Sequence, residues 1–578
     1  MTRSVIDPIT RIEGHLRVEM EVTNGKVSDA WVSGGCFRGM EMVVENRTPE
    51  DAAQIVQRIC GVCPVSHAHS SAIAAEKAYG IKISNNARII RNLLEGAQFL
   101  HSHILWFYNL AALDYVNPLN ALKADPADAY DLAQAAGTSM NSDFVALKER
   151  LANFADNGQL SIFSGNWFDA EDGTAYQLPP ELDLICTAHY LEALTMQAKA
   201  SQISAIIGGK MPHVMTLVPG GTAFVPTDQK LDELKALADE IYDWVESTMI
   251  PDTLAIAPYY IDALNWGKGC GRYVAWGVFE GPGDYASYTE QMANRYLPMG
   301  VIDDKLNLSD VQENLITEYM GRSWYKGDAT YTSPYFVTEP EYTEYNVEDR
   351  YTWVKCPAYD GKPYEAGGLS RVLAAYKRNV PFVVEQVDGL LEALGAPGQI
   401  GVAQSTLGRT AVRQIETLYI AGLMKDWVAE LIEALKSGDS EYFREPSTIT
   451  GAGTGFWEAP RGALYHSESI KDGKIEGYQI IIPTTWNLAP INESGEHGPM
   501  EQALIGNPVG DIEKPINALR TVHSFDPCTA CAVHITEPAT GKSFDEPLGG
   551  EVTWRTWHIT AKRIRCPSSS RTGSTLLR

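Results

Sequence analysis

The sequence lacks the features of membrane-spanning, disulfide-bonded and nucleic-acid-binding proteins. Its 578 residues contain no apolar run of about 18 or more residues, so we expect no transmembrane helix. The first residues have no apolar segment of the kind found in signal peptides. Nine cysteines are too few for a disulfide scaffold. Cations are also scarce, and the net charge of −26 argues against binding to phosphate backbones.

Helical periodicity dominates the chain between two predicted β-hairpins. Alternating apolar residues flank Asn24-Gly25 and, later, Asp472-Gly473, and both dipeptides are typical of hairpin turns. Apolar residues at three- and four-residue spacing predict four long helices, over 88–115, 184–207, 231–249 and 405–435. The segment 281–367 is rich in Tyr, Pro, Gly and acidic residues, which predicts irregular surface structure. We therefore predict an α+β fold that has a mainly helical core bundle with peripheral β-hairpins.

Two Cys-x-x-Cys pairs, Cys60/Cys63 and Cys528/Cys531, carry the main chemical signal. Both sulfurs of such a pair can bind one ion, and thiolates select soft metals such as zinc, nickel or iron. The pairs are 528 − 63 = 465 positions apart, whereas zinc ribbons place theirs roughly 15–20 residues apart. A preformed core must therefore bring both ends of the chain together. The spacing alone leaves three possibilities open: a structural zinc ion, a catalytic metal and a redox dithiol.

The residues around these cysteines resemble the two metal-binding signatures of nickel–iron hydrogenase large subunits. The first reads Arg58-Ile59-Cys60-Gly61-Val62-Cys63 with His67, and the second reads Asp526-Pro527-Cys528-Thr529-Ala530-Cys531 with His534. Further matches to the family lie at residues 7–15, 37–41, 458–462 and 483–487. The matches follow the family's order along the chain and look closest to its respiratory, hydrogen-uptake branch. The resemblance implies the family's fold and the reversible heterolytic cleavage of hydrogen into protons and electrons.

The resemblance also implies a domain arrangement. Residues 1–534 would form a single unit, with a β-hairpin region over about 1–50 and a helical core over about 51–440. A β region and the C-terminal metal-binding segment would occupy about 441–534. Residues 535–578 would be an extension that is removed on maturation. This tail carries seven basic and four acidic residues, a charge of 7 − 4 = +3, and its composition is foreign to the acidic chain.

The matched residues imply a nickel–iron centre that has carbon monoxide and cyanide on the iron. Cys60 and Cys528 would be terminal nickel ligands, and Cys63 and Cys531 would bridge to the iron. Glu13 would pass protons from Cys528 towards solvent, and Arg461 would stand over the metals as a fixed cation. A magnesium ion would be bound by Glu41, the carbonyl of Ile480 and His534. Residues supporting the centre from outside would be His67, Asp114, Pro460, Thr484 and Asp526, with Asp114 and Asp526 orienting Arg461.

The electrons need a second protein, because the remaining cysteines lack the spacing of an iron–sulfur cluster. The resemblance supplies an iron–sulfur small subunit, in a heterodimer or a dimer of heterodimers, and a maturation endopeptidase. It places the complex in the periplasm or on the periplasmic face of the inner membrane, exported through a signal on the small subunit.

Three alternatives remain at this stage. The first is a cofactor-reducing or energy-converting relative, and the second is a structural-zinc protein of the same fold. The third is a metal-free relative without hydrogenase activity, and the four intact cysteines speak against it.

Overall fold

The computed structural model describes residues 2–160, 175–327, 330–331, 339–446 and 448–529. These residues belong to one compact unit, Met1–Thr536, and the second unit, Glu537–Arg578, lies outside the described part. Cys531, His534 and the predicted extension are likewise outside it. Within the described ranges, no helix combines the length and the apolar character needed to cross a bilayer.

Sixteen α-helices lie in the described part of the chain. Several begin with a preferred N-cap residue or with proline in the first turn, as at Thr48 before α2 and Ser84 before α4. Their bounds are α1 Met40–Val43, α2 Pro49–Ile55, α3 Pro64–Tyr79, α4 Asn85–Ile104, α5 Pro126–Ala136, α6 Phe144–Asp156, α7 Pro180–Gly208, α8 Asp228–Trp244, α9 Ile250–Ile256, α10 Tyr288–Ala293, α11 Gly368–Lys377, α12 Pro381–Ala393, α13 Thr406–Lys436, α14 Pro483–Asn487, α15 Pro499–Leu504 and α16 Ile516–Ser524.

The strands form small sheets around this helical body. Their bounds in the described residues are β1 Thr2–Ile6, β2 Leu16–Thr23, β3 Lys26–Gly34, β4 Leu217–Val218, β5 Gly221–Thr222, β6 Tyr273–Ala275, β7 Gly300–Ile302, β8 Leu308–Ser309, β9 Ile316–Tyr319, β10 Thr330–Tyr331, β11 Cys356–Tyr359, β12 Glu365–Ala366, β13 Gly451–Ala459, β14 Gly462–Lys471 and β15 Lys474–Ile481. The sheet orders are β1-β2-β3, β4-β5, β12-β6-β7-β8, β10-β9-β11 and β13-β14-β15.

The helical core is a bundle in which α4, α7, α8 and α13 pack against one another. These are the four helices that the periodicity predicts. Two of them differ near their ends, because α4 and α8 each continue into a π-helical turn, Leu105–Ala111 and Val245–Met249. Both predicted hairpins are also present, as β2–β3 and β14–β15. The α+β fold class and its mainly helical core are thereby confirmed.

The segment 281–367 differs from the prediction of irregular surface structure. It contributes short strands and large buried side chains, among them Met299, Trp324 and Tyr351. Several of its aromatic residues are therefore core residues, although they occur in the sequence among prolines and glycines, which are typical of surface loops.

The sheet β13-β14-β15 is buried because α3 packs directly on β13. Three glycines of β13, Gly451, Gly453 and Gly455, make this close approach possible. A Cβ atom at Gly455 would lie 1.9 Å from the carbonyl oxygen of Ser70 in α3. Only glycine fits such a backbone contact. The contact fixes α3 relative to the β13–β14 turn, and these two elements carry residues of the candidate site.

Candidate metal centre

Three cysteine side chains from the two ends of the chain meet in the interior. The Sγ atoms of Cys60, Cys63 and Cys528 all lie within 4.8 Å of one another, and the three residues are buried. The Sγ atoms of Cys60 and Cys528 are 3.4 Å apart, although 468 positions separate these residues. Such a set of soft donors suits a soft metal ion. Cys531, the fourth cysteine of the predicted set, lies outside the described residues.

The first two cysteines lie where a short 3₁₀-helix, Val56–Ile59, gives way to α3. Cys60 follows that helix in an extended conformation, and Cys63 is the N-cap of α3. The Sγ atom of Cys60 accepts the backbone N–H groups of Val62 at 3.2 Å and Cys63 at 3.3 Å. Amide donors and a helix N-terminus both stabilise negative charge. The local backbone therefore offers two donors to negative charge on the Cys60 sulfur.

Cys528 is held against the N-terminal segment by backbone contacts with Glu13. The two residues form a parallel β-bridge, and the N–H of Thr529 donates to the Glu13 carbonyl oxygen at 2.8 Å. The Thr529 hydroxyl donates to the same oxygen at 2.9 Å. These contacts place the Oε2 atom of Glu13 at 3.2 Å from the Sγ atom of Cys528. The half-buried carboxylate is therefore within proton-transfer distance of that sulfur.

Arg461 lies in the tight turn between β13 and β14. Ala459 pairs with Gly462, so Pro460 and Arg461 are the two central turn residues. The buried guanidinium of Arg371 holds this turn, because it donates to the carbonyl oxygens of Ala459 at 3.0 Å and Pro460 at 2.8 Å. Arg371 also forms buried ion pairs with Glu416 and Glu458. The backbone that presents Arg461 is therefore fixed by charged groups without access to solvent.

The guanidinium of Arg461 is positioned by two partners and faces the sulfurs. Its Nη2 atom is 3.0 Å from Asp526 Oδ1, and its Nη1 atom donates to the hydroxyl of Ser102 at 3.3 Å. Burial disfavours the charged form, but Asp526 and the three cysteine sulfurs outweigh this and keep the pKa of Arg461 well above its usual value. The buried Nε atom has no hydrogen-bond partner among the described residues. One donor is thus left for a group bound at the sulfurs.

The structure corrects the expectation that Asp114 orients Arg461. The two carboxylate oxygens of Asp114 instead bond to Arg11 and to His523, the latter at 2.6 Å. Ser102, on α4, occupies the second contact of Arg461. Nothing in the local sequence around Ser102 signals this contact, because it joins residues that are 359 positions apart. Asp526 does contact Arg461, as expected, and a second arginine, Arg413, holds it at 2.6 Å.

Two more of the predicted supporting residues lie near the cysteines: Thr484 contacts Cys528, and His67 follows Cys63 in α3. The hydroxyl oxygen of Thr484 accepts the backbone N–H of Cys528 at 3.2 Å. His67 follows Cys63 by one turn of α3 and is fully buried. Its Nδ1 atom lies 3.1 Å from Nε2 of His466, a residue that the sequence did not single out.

The two described residues of the predicted magnesium site lie on neighbouring elements. Glu41 belongs to α1, which packs against β15, the strand that contains Ile480. Buried Glu318 lies near Glu41, and burial together with the charge of Glu41 raises the pKa of Glu318. The Nζ atom of Lys355 lies 3.9 Å from Oε2 of Glu318, which is a long ion pair. Oxygen ligands and acidic groups are therefore concentrated here, which suits a hard cation; His534 lies outside the described residues.

Comparisons with known proteins give one consistent result. The profile of a family described as "Nickel-dependent hydrogenase" matches residues 38–534, and a profile described as "HoxL-like" matches residues 3–33. The chain is 38% identical to the Hydrogenase-2 large chain of Escherichia coli K12, covering 93% of this chain and 97% of that protein. It is 37% identical to the uptake hydrogenase large subunit of Rhizobium leguminosarum bv. viciae, covering 93% and 96%.

The fold is similar to that of solved structures as well. A structure of the Ni-Fe-Se hydrogenase from D. vulgaris Hildenborough in its as-isolated oxidised state gives a TM-score of 0.76 at 34% identity. The match covers 92% of this chain and 100% of that one. An H2-activated [NiFeSe]-hydrogenase from Dm. baculatum gives a TM-score of 0.75 at 35% identity, with the same coverage.

Proposed function

This chain belongs to the family of nickel-dependent hydrogenases, as a large subunit, and from that premise we propose how its residues perform the reaction. The enzyme is an oxidoreductase that acts on molecular hydrogen, and its relatives among the uptake hydrogenases support hydrogen oxidation. The observation that carries the residue assignment is the buried set of three thiols beside the guanidinium of Arg461. A structural-zinc protein or a metal-free relative is not favoured.

The proposed ligands of the nickel–iron centre are the four cysteines. Cys60, Cys63, Cys528 and Cys531 would hold the centre, with Cys60 and Cys528 as the terminal nickel ligands and Cys63 and Cys531 shared with an iron that would carry carbon monoxide and cyanide. Three observations support the fit: the sulfurs lie close together, the Cys60 sulfur accepts two backbone N–H groups, and Arg461 supplies a compensating charge. When bound, the centre supplies the soft, electron-rich metal that heterolytic cleavage of hydrogen requires.

Glu13 is the proposed first proton acceptor beyond the cysteines. A terminal thiolate can accept the proton released from hydrogen, and Cys528 lies 3.2 Å from the Glu13 carboxylate. The backbone of Glu13 is fixed by Thr529, so the side chain stays within reach. Because Glu13 is half-buried, its carboxylate connects the buried sulfur with the more exposed N-terminal segment.

Arg461 and Thr484 are proposed to contact the diatomic ligands. The remaining Nε donor of Arg461 and the hydroxyl of Thr484 can each hydrogen-bond an anionic cyanide. Asp526 holds the guanidinium of Arg461 in place. The hydrogen bond from Arg371 to the Pro460 carbonyl oxygen fixes the turn and so limits movement of the Arg461 side chain. His67 is proposed to donate to a bridging sulfur. A fixed cation in a buried site also stabilises negative charge that develops during the reaction.

A magnesium ion bound by Glu41, the carbonyl oxygen of Ile480 and His534 is proposed as a second metal site. Its support is the concentration of oxygen ligands around α1 and β15, including buried Glu318 and its partner Gln479. A divalent cation would offset the repulsion between the carboxylates of Glu41 and Glu318, which the ion pair of Glu318 with Lys355 at 3.9 Å offsets only in part.

The electrons are proposed to leave through an iron–sulfur small subunit. Exposed apolar side chains fit such a partner: Met42 and Val43 on α1, and Met215. Arg38 links α1 to the Cys60 segment by donating to the Ile59 carbonyl oxygen at 2.9 Å. Exposed apolar side chains close to a redox site are suited to an interface. Removal of residues 535–578 by an endopeptidase and a periplasmic location complete the proposal.

Elemental analysis and infrared spectroscopy of the purified, processed complex test these assignments. We expect nickel and iron in about equal amounts, and bands for carbon monoxide and cyanide in a spectral region where proteins do not absorb. Zinc in place of nickel, without such bands, would contradict the assignment of the centre. Magnesium that stays bound after Glu41→Gln would contradict the second site alone.

A further inference from the structure

Three buried side chains form a continuous hydrogen-bonded row that ends at His67. The Nδ1 atom of His67 lies 3.1 Å from Nε2 of His466, and Nδ1 of His466 lies 2.8 Å from the hydroxyl of Tyr478. The three residues come from α3, β14 and β15, and each is at most 3% exposed. Neither His466 nor Tyr478 has a part in the reaction as described above.

The surroundings of Tyr478 determine the direction of these hydrogen bonds. The neutral phenol has one O–H proton to donate, and Nδ1 of His466 lies 2.8 Å from its oxygen. The nearby hydroxyl of Ser71 has no hydrogen-bond partner among the described residues. The carboxyl of Glu468 is also near, but neither of its oxygens is hydrogen-bonded by a described residue. The phenolic proton therefore points to Nδ1 of His466.

This direction fixes the proton positions on both imidazoles. A nitrogen that accepts a hydrogen bond carries no proton, so His466 carries its proton on Nε2. That N–H then donates to Nδ1 of His67, which must accept and is therefore also unprotonated. His67 carries its proton on Nε2. If Nδ1 of His466 carried the proton instead, it and the phenolic proton would both lie between His466 and Tyr478, or the phenolic proton would have no acceptor.

We propose that His466 and Tyr478 are positioning residues of the metal centre, which hold the proton of His67 on Nε2 so that an N–H group faces the bridging sulfur. The proposal rests on the function proposed above for His67. A hydrogen bond to a metal-bound sulfur withdraws electron density from the metals, and partners outside the ligand set tune a centre in this way. Without Tyr478, His466 can exchange its tautomer, and His67 can then turn a lone pair towards the thiolate.

The test uses the matured complex with its small subunit. Tyr478→Phe removes only the first donor of the row, and Tyr465→Phe is its control. Tyr465 is also a buried tyrosine of the same sheet, but its hydroxyl donates to Glu313. The readouts are the infrared bands of carbon monoxide and cyanide, the nickel content and the rate of hydrogen oxidation. We expect Tyr478→Phe to shift the bands and to lower the rate by about tenfold or more, as substitutions of such partners commonly do.

If Tyr478→Phe disturbs folding, two variants of His466 test the proposal independently. In His466→Gln the amide oxygen can accept from Tyr478 and the amide nitrogen can donate to His67, so bands and rate should remain close to those of the wild type. In His466→Leu both should change. The proposal is overturned if Tyr478→Phe gives the bands of Tyr465→Phe, or if the two His466 variants give identical spectra. A wild-type complex without these bands would instead refute the function proposed for the site.

Discussion

Replacement of Glu13 by glutamine should leave the metal centre intact and slow the enzyme strongly. The amide has nearly the shape of the carboxylate and stays about 3.2 Å from the Cys528 sulfur, because Thr529 fixes the Glu13 backbone. It cannot, however, take up and release a proton at neutral pH. A positioned acid or base contributes about 100-fold to 10,000-fold to a rate. This corresponds to about 3–5 kcal/mol of activation free energy.

Hydrogen–deuterium exchange and hydrogen oxidation measured side by side provide the assay. We expect both rates in Glu13→Gln to fall within that range, while nickel content and infrared bands remain those of the wild type. Glu21→Gln is the matched control, because Glu21 pairs with Arg3 near the surface and has no contact with the sulfurs. Glu13→Asp should be intermediate, since one methylene withdraws the carboxylate by about 1.5 Å. Exchange at the wild-type rate in Glu13→Gln would show that protons leave by another route.

Three further predictions concern the ligands, the packing and the tail. Cys528→Ser should lose nickel and activity, because a hydroxyl is a poor ligand for a soft metal; elemental analysis showing full nickel would contradict the assignment. Gly455→Ala should lower the melting temperature and cost about 1–3 kcal/mol as overpacking does, since its Cβ would lie 1.9 Å from the Ser70 carbonyl oxygen. Gly389→Ala, with no atom within 4 Å, should not. Intact-mass measurement should find the active chain ending at His534; active enzyme that retains all 578 residues would refute this.

The long helices and the two hairpins were predictable because their signals are local. Periodicity of apolar residues and the dipeptides Asn24-Gly25 and Asp472-Gly473 depend on neighbours in the chain. The region 281–367 was not predictable in the same way, because burial of its aromatic residues depends on distant elements. The change from α-helix to π-helix at the end of α4 also has no local signal in the sequence.

Those parts of the site that depend on residue type and on order along the chain were predictable. The cysteine pairs predict a soft-metal site, and the folded core does bring Cys60, Cys63 and Cys528 together. What surrounds Arg461 could not be read in this way. Its partner Ser102 is an ordinary helix residue in the sequence, whereas Asp114, a more obvious candidate, is bonded to Arg11 and His523. Contacts between residues hundreds of positions apart leave no spacing to recognise.

Because Cys60 and Cys528 meet at one site, the time between their synthesis on the ribosome matters for assembly of the site. A ribosome that adds about 5–20 residues per second needs roughly half a minute or more to reach Cys528 after Cys60, 468 positions earlier. Closing a loop of that length costs about 5 kcal/mol in chain entropy, which the folded core must offset. During that interval the first two thiols exist without their partners. A chain that stops before Cys528 contains only Cys60 and Cys63 of the proposed ligands, so a filled centre would show that translation continued past the second cysteine pair.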